Sequence, residues 1–223
     1  MNTTIDVKQD IRAQRRAAAQ RFRQQMSQQG TFIVRLLSSP GSGKTTLLQE
    51  TAKRLGEDYR VAVLVGDVET QRDAERLAPF CPSVQITTGG ACHLELPLVE
   101  RALPELNCRP DFLFVEDVGN LICPASHELG EHLRVIVLST TEGDDKPGKY
   151  PKAFRTSGAV VISKLDLLPH VPFSVDRAKE DALLVQSELD IFTLSALSGE
   201  GMDGWCEYLC RQRDAALSEF QAS

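Results

Sequence analysis

Short, nearly continuous apolar runs punctuate the chain: Phe32-Ile33-Val34-Arg35-Leu36-Leu37, Val61-Ala62-Val63-Leu64-Val65, Phe112-Leu113-Phe114-Val115, Val135-Ile136-Val137-Leu138 and Ala159-Val160-Val161-Ile162. Strands covered on both faces read this way, without polar alternation. Residues 83–87 and 190–195 are weaker runs that predict two more strands. Between them, residues 46–55, 95–106, 175–189 and 202–220 carry apolar positions at helical spacing, and 151–155 predicts a short helix. A first helix is expected over 6–29, with Ile11, Ala18, Phe22 and Met26 on one face and Gly30 as its stop. Residues 140–150 read as an exposed loop. The alternation predicts an α/β fold of three layers, a mostly parallel sheet of about seven strands with helices on both faces. Residues 1–29 are expected to form an N-terminal helical extension and 30–223 a single domain.

The first run leads into Ser38-Ser39-Pro40-Gly41-Ser42-Gly43-Lys44-Thr45, and a helix follows. Strand, glycine-rich loop and helix are the context of a phosphate-binding loop. Glycines let the backbone wrap close to an anion, and the N–H groups of Gly41, Ser42, Gly43, Lys44, Thr45 and Thr46 supply positive potential there. Lys44 is expected to reach the β- and γ-phosphates and Thr45 to hold Mg²⁺. Ser38 stands where the motif has its first glycine, which is tolerable if its φ stays negative.

A chain of 223 residues, 42% hydrophobic, suits one α/β domain with a sizeable core. The net charge of −6 argues against a general nucleic-acid partner. No run approaches the roughly 18 apolar residues of a membrane span, and no apolar signal core opens the chain, so a cytoplasmic protein is expected. In a reducing compartment its six cysteines are expected as free thiols or metal ligands.

Acids close two of the strands. Asp67 and Glu116 are placed for Mg²⁺ or an attacking water, because ligands of open α/β sheets gather at the carboxyl ends of strands. A fifth run ends in Ser163-Lys164-Leu165-Asp166, which is similar to the guanine-reading Asn-Lys-x-Asp motif of GTPases. The Asp166 carboxylate would accept from guanine N1–H and its exocyclic amine, and the Lys164 stem would cover the base. Ser195-Ala196-Leu197 is placed to close over the guanine. Cys92 and His93 are adjacent after the Gly89-Gly90 turn, and both residue types favour Ni²⁺ and Zn²⁺; taken alone they remain open to a buried thiol beside a capping histidine. Cys123 alone reads equally well as a small core residue, and Cys206 with Cys210 as packing beside Trp205.

In order, the segments Ser38–Thr46, Gly66-Asp67-Val68-Glu69-Thr70, Thr88–Leu94, Glu116–Pro124 and Glu142-Gly143-Asp144-Asp145-Lys146-Pro147 resemble the HypB family of hydrogenase-maturation GTPases, in the SIMIBI class of P-loop NTPases. The resemblance covers residues 30 to 210. It implies a GTPase with GTP/GDP and Mg²⁺ held by Thr45, Asp67 and Glu116, with Lys44, Asp67 and Glu116 as catalytic residues. It implies a nickel or zinc site of Cys92, His93 and Cys123 at the interface of a GTP-dependent homodimer. The implied partners are other maturation proteins, among them a nickel-binding accessory protein, and the hydrogenase large-subunit precursor, with neither nucleic acid nor membrane. The family asparagines are replaced by Asp117 and Ser163. The chain carries no cysteine before Cys81 and no histidine before His93, so the separate N-terminal metal store of some members is not expected.

Overall fold

The computed structural model describes residues 7–67 and 72–221. Val68-Glu69-Thr70, part of one family-like segment, and Asp6, the expected start of the first helix, lie outside the described residues. The elements run α1 (Val7–Gln28), β1 (Phe32–Ser38), α2 (Lys44–Leu55), β2 (Val61–Asp67), α3 (Arg72–Leu77), β3 (Ser83–Thr87), α4 (Leu96–Ala102), β4 (Phe112–Glu116), β5 (Leu133–Ser139), α5 (Lys146–Lys149), α6 (Pro151–Arg155), β6 (Ala159–Ser163), α7 (Val175–Val185), β7 (Asp190–Thr193) and α8 (Met202–Gln221). Single 3₁₀ stretches follow α4, β4 and β6.

All seven strands are parallel, in the order β3-β2-β4-β1-β5-β6-β7. The alternating Cβ directions of each strand sort the core into two faces. Val34, Leu36, Val63, Val65 and Phe114 meet Leu47, Leu48, Leu77, Met202 and Trp205, so α2, α3 and α8 cover one face. Ile33, Leu64 and Val115 meet Phe22, Met26, Leu96 and Val99, which puts α1 and α4 on the other face. Farther along that face, Ile136, Leu138 and Ile162 meet Phe154, Ala178 and Ala182 of α6 and α7. The three layers expected from the apolar runs are therefore present. β1 sits centrally, with β4 on one side and β5 on the other. The strand order reverses there, and the loop after β1 opens into the resulting crevice.

The structure corrects three local expectations. Ile11 does not join the packed face of α1; it is 45% exposed, and Ala19 takes the buried position with Phe22 and Met26. The helix predicted over 95–106 splits at Pro104, where α4 gives way to a 3₁₀ turn over Leu103–Leu106, because proline removes a helical N–H and crowds the preceding turn. The loop predicted over 140–150 is not simply exposed. Thr140 and Pro147 are buried, residues 146–149 form α5, and Lys146 Nζ donates to Ser39 Oγ and Glu142 Oε2.

His132 pins α1 to β1. Its Nδ1 accepts from the Ile33 N–H at 2.9 Å. Ser27 Oγ donates to the Arg23 carbonyl at 2.9 Å, so Nε2–H donates to Ser27 Oγ at 2.8 Å. The bond from Ile33 needs an unprotonated Nδ1 and hence the neutral ring, and burial pushes its pKa down to about 4. The folded chain thus binds fewer protons than the unfolded chain between about pH 4 and the ordinary histidine value near 6.5. Stability should fall as the pH drops through that window, by on the order of 3 kcal/mol. Urea unfolding of the wild type and His132→Gln across this range checks it; equal slopes in the two proteins would remove His132 as the cause.

Candidate nucleotide and metal site

The loop after β1 takes turns that depend on glycine. Gly41 and Gly43 have φ of +75° and +89°, conformations open to glycine and strained for other residues. A Cβ at Gly41 would meet nothing within 4 Å. Gly43 caps the start of α2 without any side-chain hydrogen bond, which leaves the first-turn N–H groups for a bound anion. Ser42 Oγ is buried with no partner. Lys44 Nζ donates to Ser38 Oγ at 2.5 Å, and Ser38 does not adopt a positive φ, as its place in the motif requires. These features fit a nucleotide phosphate chain.

Thr45 and Glu116 face each other at the strand ends, with Thr45 Oγ1 donating to Glu116 Oε1 at 3.1 Å. Burial pushes the Glu116 carboxyl up to about 7, against the opposing pull of the Lys44 cation. Asp73 on α3, absent from the sequence reading, adds to the rise. A hydroxyl and a carboxylate, both anchored beside the phosphate loop, match the hard oxygen donors Mg²⁺ prefers. Asp67 closes β2 in the adjacent position, paired with Thr87 in the sheet register.

The predicted base-reading segment lies against the same loop. Ser163 Oγ donates to the Ser42 carbonyl at 2.7 Å and Lys164 Nζ to the Gly41 carbonyl at 2.6 Å. Ser163, shorter than the family asparagine, therefore still ties this segment to the phosphate loop. Lys164 holds a left-handed backbone at φ +62°, a strain retained where the surroundings fix it. Ser195 Oγ donates to Asp166 Oδ1 at 2.5 Å, orienting that carboxylate. Ala196 is partly buried and Leu197 is 82% exposed at the rim.

On the other flank, ligand atoms of Cys92, His93 and Cys123 all lie within 4.8 Å of one another. Cys92 Sγ stands 3.8 Å from His93 Nδ1. The hydrogen bond with the Cys123 thiol raises the Cys92 thiol, and partial desolvation adds to it. All six cysteines are free. Cys206 instead packs beside Trp205 in the core, where burial pushes its thiol up to about 12.

Residues 117–120 connect the two flanks. Asn120 forms an antiparallel bridge with Ser38 and donates from Nδ2 to the Cys92 carbonyl at 3.3 Å. Gly119 lies so close to the phosphate loop that a Cβ would sit 3.0 Å from both Pro40 N and Cγ. Asp117 Oδ1 accepts from the N–H of Leu94 at 3.1 Å and of Val118 at 2.9 Å. Its Oδ2 takes the Arg35 guanidinium, with Nε at 2.8 Å. Arg35, wholly buried, also reaches the His127 carbonyl at 2.5 Å and Glu131 at 3.5 Å. Arg134 completes the group on Glu131 and on the same His127 carbonyl. Burial raises the Glu131 carboxyl, but the Arg35 and Arg134 cations outweigh it and hold the pKa near 2. The sequence reading missed this quartet and His127. The available signal was Arg35 itself, since a charge inside an apolar strand requires a buried partner.

Residues 32–193 match the model of the CobW/HypB/UreG nucleotide-binding domain. The hydrogenase maturation factor HypB of Escherichia coli strain K12 is 43% identical over 213 residues, 95% of this chain and 73% of that protein. The hydrogenase/urease maturation factor HypB of Helicobacter hepaticus is 44% identical over 198 residues, 86% of this chain and 81% of that protein. The structure of HypB from Helicobacter pylori in complex with nickel superposes with a TM-score of 0.84 at 37% identity, covering 93% of this chain and 96% of that one. With a matching domain model, close relatives along nearly its whole length and the same three-layer architecture, the chain belongs to the HypB family of P-loop GTPase-fold proteins.

Proposed function

We propose that this chain is a GTP-hydrolysing metallochaperone that binds nickel, and zinc through the same ligands, and assists nickel insertion into [NiFe]-hydrogenase. One observation carries the reading: a thiol–imidazole cluster is wired to the phosphate loop through residues 117–120. Residues 30–223 act as the GTPase domain and 1–29 as a helical extension, in a cytoplasmic protein. Among the described residues no helix is long and apolar enough to cross a membrane.

In this reading the N–H groups of residues 41–46 and the Lys44 cation hold the triphosphate of GTP and take up charge developing on the transferred phosphoryl group. Thr45, Asp67 and Glu116 would hold Mg²⁺, which supplies charge neutralisation between β- and γ-phosphates. Asp67 orients the attacking water. Asp166 accepts from guanine N1–H and the exocyclic amine, Lys164 covers the base, and the backbone of Ser195-Ala196-Leu197 closes over O6.

Asp166→Asn should shift preference from GTP towards xanthine nucleotides, because one acceptor becomes a donor facing N1–H. A mispaired buried polar group costs about 1–3 kcal/mol, so GTP affinity should fall at least about tenfold. Competition among GTP, ATP and XTP reads this directly; equal GTP affinity in both proteins would take Asp166 out of the base site.

One protomer offers three soft ligands at Cys92, His93 and Cys123, short of the four of a closed tetrahedral site. A two-fold homodimer doubles the set, since a symmetric interface presents the same patch twice. GTP would order residues 117–120 around Gly119 and favour that dimer. Linkage then makes the effect mutual: nucleotide tightens metal binding and metal tightens nucleotide binding by the same factor. Cys92→Ala, His93→Ala and Cys123→Ala should each lose the interfacial metal while still binding GTP. Analytical ultracentrifugation should show more dimer with a non-hydrolysable GTP analogue than with GDP. Metal affinity indifferent to nucleotide and to Cys123→Ala would sink the shared site. The metal passes onward through other maturation proteins, including a nickel-binding accessory protein, to the hydrogenase large-subunit precursor. A second reading, service to another nickel enzyme such as urease, is favoured by the Helicobacter hepaticus relative named for both systems.

A further inference from the structure

His93 faces two ligand sets. Its Nδ1 points to Cys92 Sγ at 3.8 Å, while its Nε2 lies 3.8 Å from Glu95 Oε1. That Nε2 is buried and has no hydrogen-bond partner. The His127 ring stacks on His93 with centroids 4.1 Å apart. Ligand atoms of His93, Glu95 and His127 fall within 4.8 Å of one another.

The tautomer of His127 is set by its surroundings. Its Nδ1 lies 2.9 Å from the Cys123 carbonyl; a carbonyl only accepts, so Nδ1 carries the proton and Nε2 keeps its lone pair. A ring N–H donated to a backbone carbonyl is the usual outer support of a metal-binding histidine. The Cys123 carbonyl thus prepares His127 as a ligand while the Cys123 thiol belongs to the first cluster.

We propose that His93, Glu95 and His127 form a second position for a late first-row divalent cation, distinct from the thiol cluster and joined to it by the His93 ring. Two imidazoles and a carboxylate suit Zn²⁺, Ni²⁺ or Co²⁺. A neutral imidazole has one lone pair, so His93 serves one position at a time. An ion passing between them exchanges thiolates for His127 and Glu95 while His93 releases its Nε2 proton to water and takes one from water at Nδ1, and no bond to carbon or change of oxidation state is involved. The second position opens into a groove of about 630 Å³ between α1 and α4, whose lining includes Glu95 and His127. Arg15 from α1 pairs with the same Glu95 oxygen at 3.3 Å, and both side chains are about half exposed. An exposed pair of this kind is worth roughly 0–1 kcal/mol, so a cation displaces it readily.

The proposal shares His93 with the function proposed above, and the test separates their failures. Zn²⁺ is titrated calorimetrically into the Cys92→Ser/Cys123→Ser protein, with imidazole nitrogens followed by NMR. One equivalent per chain is expected, with the Nε2 signals of both His93 and His127 shifting. His127→Phe, which keeps a ring against His93, and Glu95→Gln, at an exposed site, should each weaken this binding at least about tenfold, since even outer partners of a metal are worth ~10–100-fold. Arg15→Gln should tighten it. No saturable binding in the Cys92→Ser/Cys123→Ser protein, or binding untouched by His127→Phe and Glu95→Gln, overturns the second position. The thiol cluster is judged independently, by the thiolate-to-metal charge-transfer band of the Co²⁺-loaded wild type.

Discussion

Lys44→Ala is expected to lower GTP turnover by about 100-fold or more, the scale on which single preorganised charge donors act, while leaving the fold intact. The geometry separates the two effects. Among the described residues Lys44 Nζ makes a single side-chain hydrogen bond, from the first residue of α2 to Ser38 Oγ at the end of β1, and it takes no part in the backbone bonding of either element. The cation also stands among the unpaired N–H groups at the start of α2, so removing it relieves repulsion between like partial charges. Unfolding free energy should therefore change by no more than about 1 kcal/mol. The substitution also strips Glu116 of the cation that holds its carboxyl down, which pushes that group further towards the protonated form. Single-turnover hydrolysis and urea unfolding, run on one preparation, test the pair of claims. Turnover within a few-fold of wild type would displace Lys44 from the phosphate site; a large loss of stability would make it a structural residue.

The sheet was legible because its strands are buried on both faces. A run such as Val61–Val65 or Val135–Leu138 has no polar residue to explain away, and each of these runs became a strand. The phosphate loop was legible for a different reason: its chemistry is carried by backbone and glycine, so a short local string specifies it. Local reading stopped where a residue's role depends on distant partners. Arg35 looked like an interruption in an apolar run, yet its partners lie 82 and 92 residues away, at Asp117 and the His127 carbonyl. Lys146 looked solvated because nothing nearby in sequence shows that α5 folds back onto Ser39. His127 carries no motif at all; only the stack on His93 brings it to the cluster. The helix boundary at Pro104 was an error of another kind, a helical spacing trusted past a proline that the chain itself displayed.

Asp117 replaces a family asparagine, and the structure shows what the extra charge does. Arg35 and Arg134 face Asp117 and Glu131, a buried group of two cations and two anions. Asp117→Asn leaves that group one positive charge in excess, but its Oδ1 can still accept from Leu94 and Val118. Asp117→Ala removes the charge and strands both N–H groups as well. Breaking a buried pair from one side costs about 3–5 kcal/mol, and each stranded buried donor adds roughly 1–3 kcal/mol where water cannot replace the acceptor. The expected order of stability is wild type, then Asn, then Ala, with Ala down by at least about 3 kcal/mol. The consequence reaches the cluster, because the bond to Leu94 N–H fixes the residue directly after Cys92-His93. Amide exchange at Leu94 should accelerate in the alanine variant far more than in the asparagine variant, and Zn²⁺ affinity should follow the same order. Urea unfolding supplies the energies and hydrogen exchange the local effect. If Asn and Ala cost the same, and less than about 1 kcal/mol, the quartet contributes no more than an exposed ion pair, and Asp117 does not hold the metal-binding segment to the strand that carries Glu116.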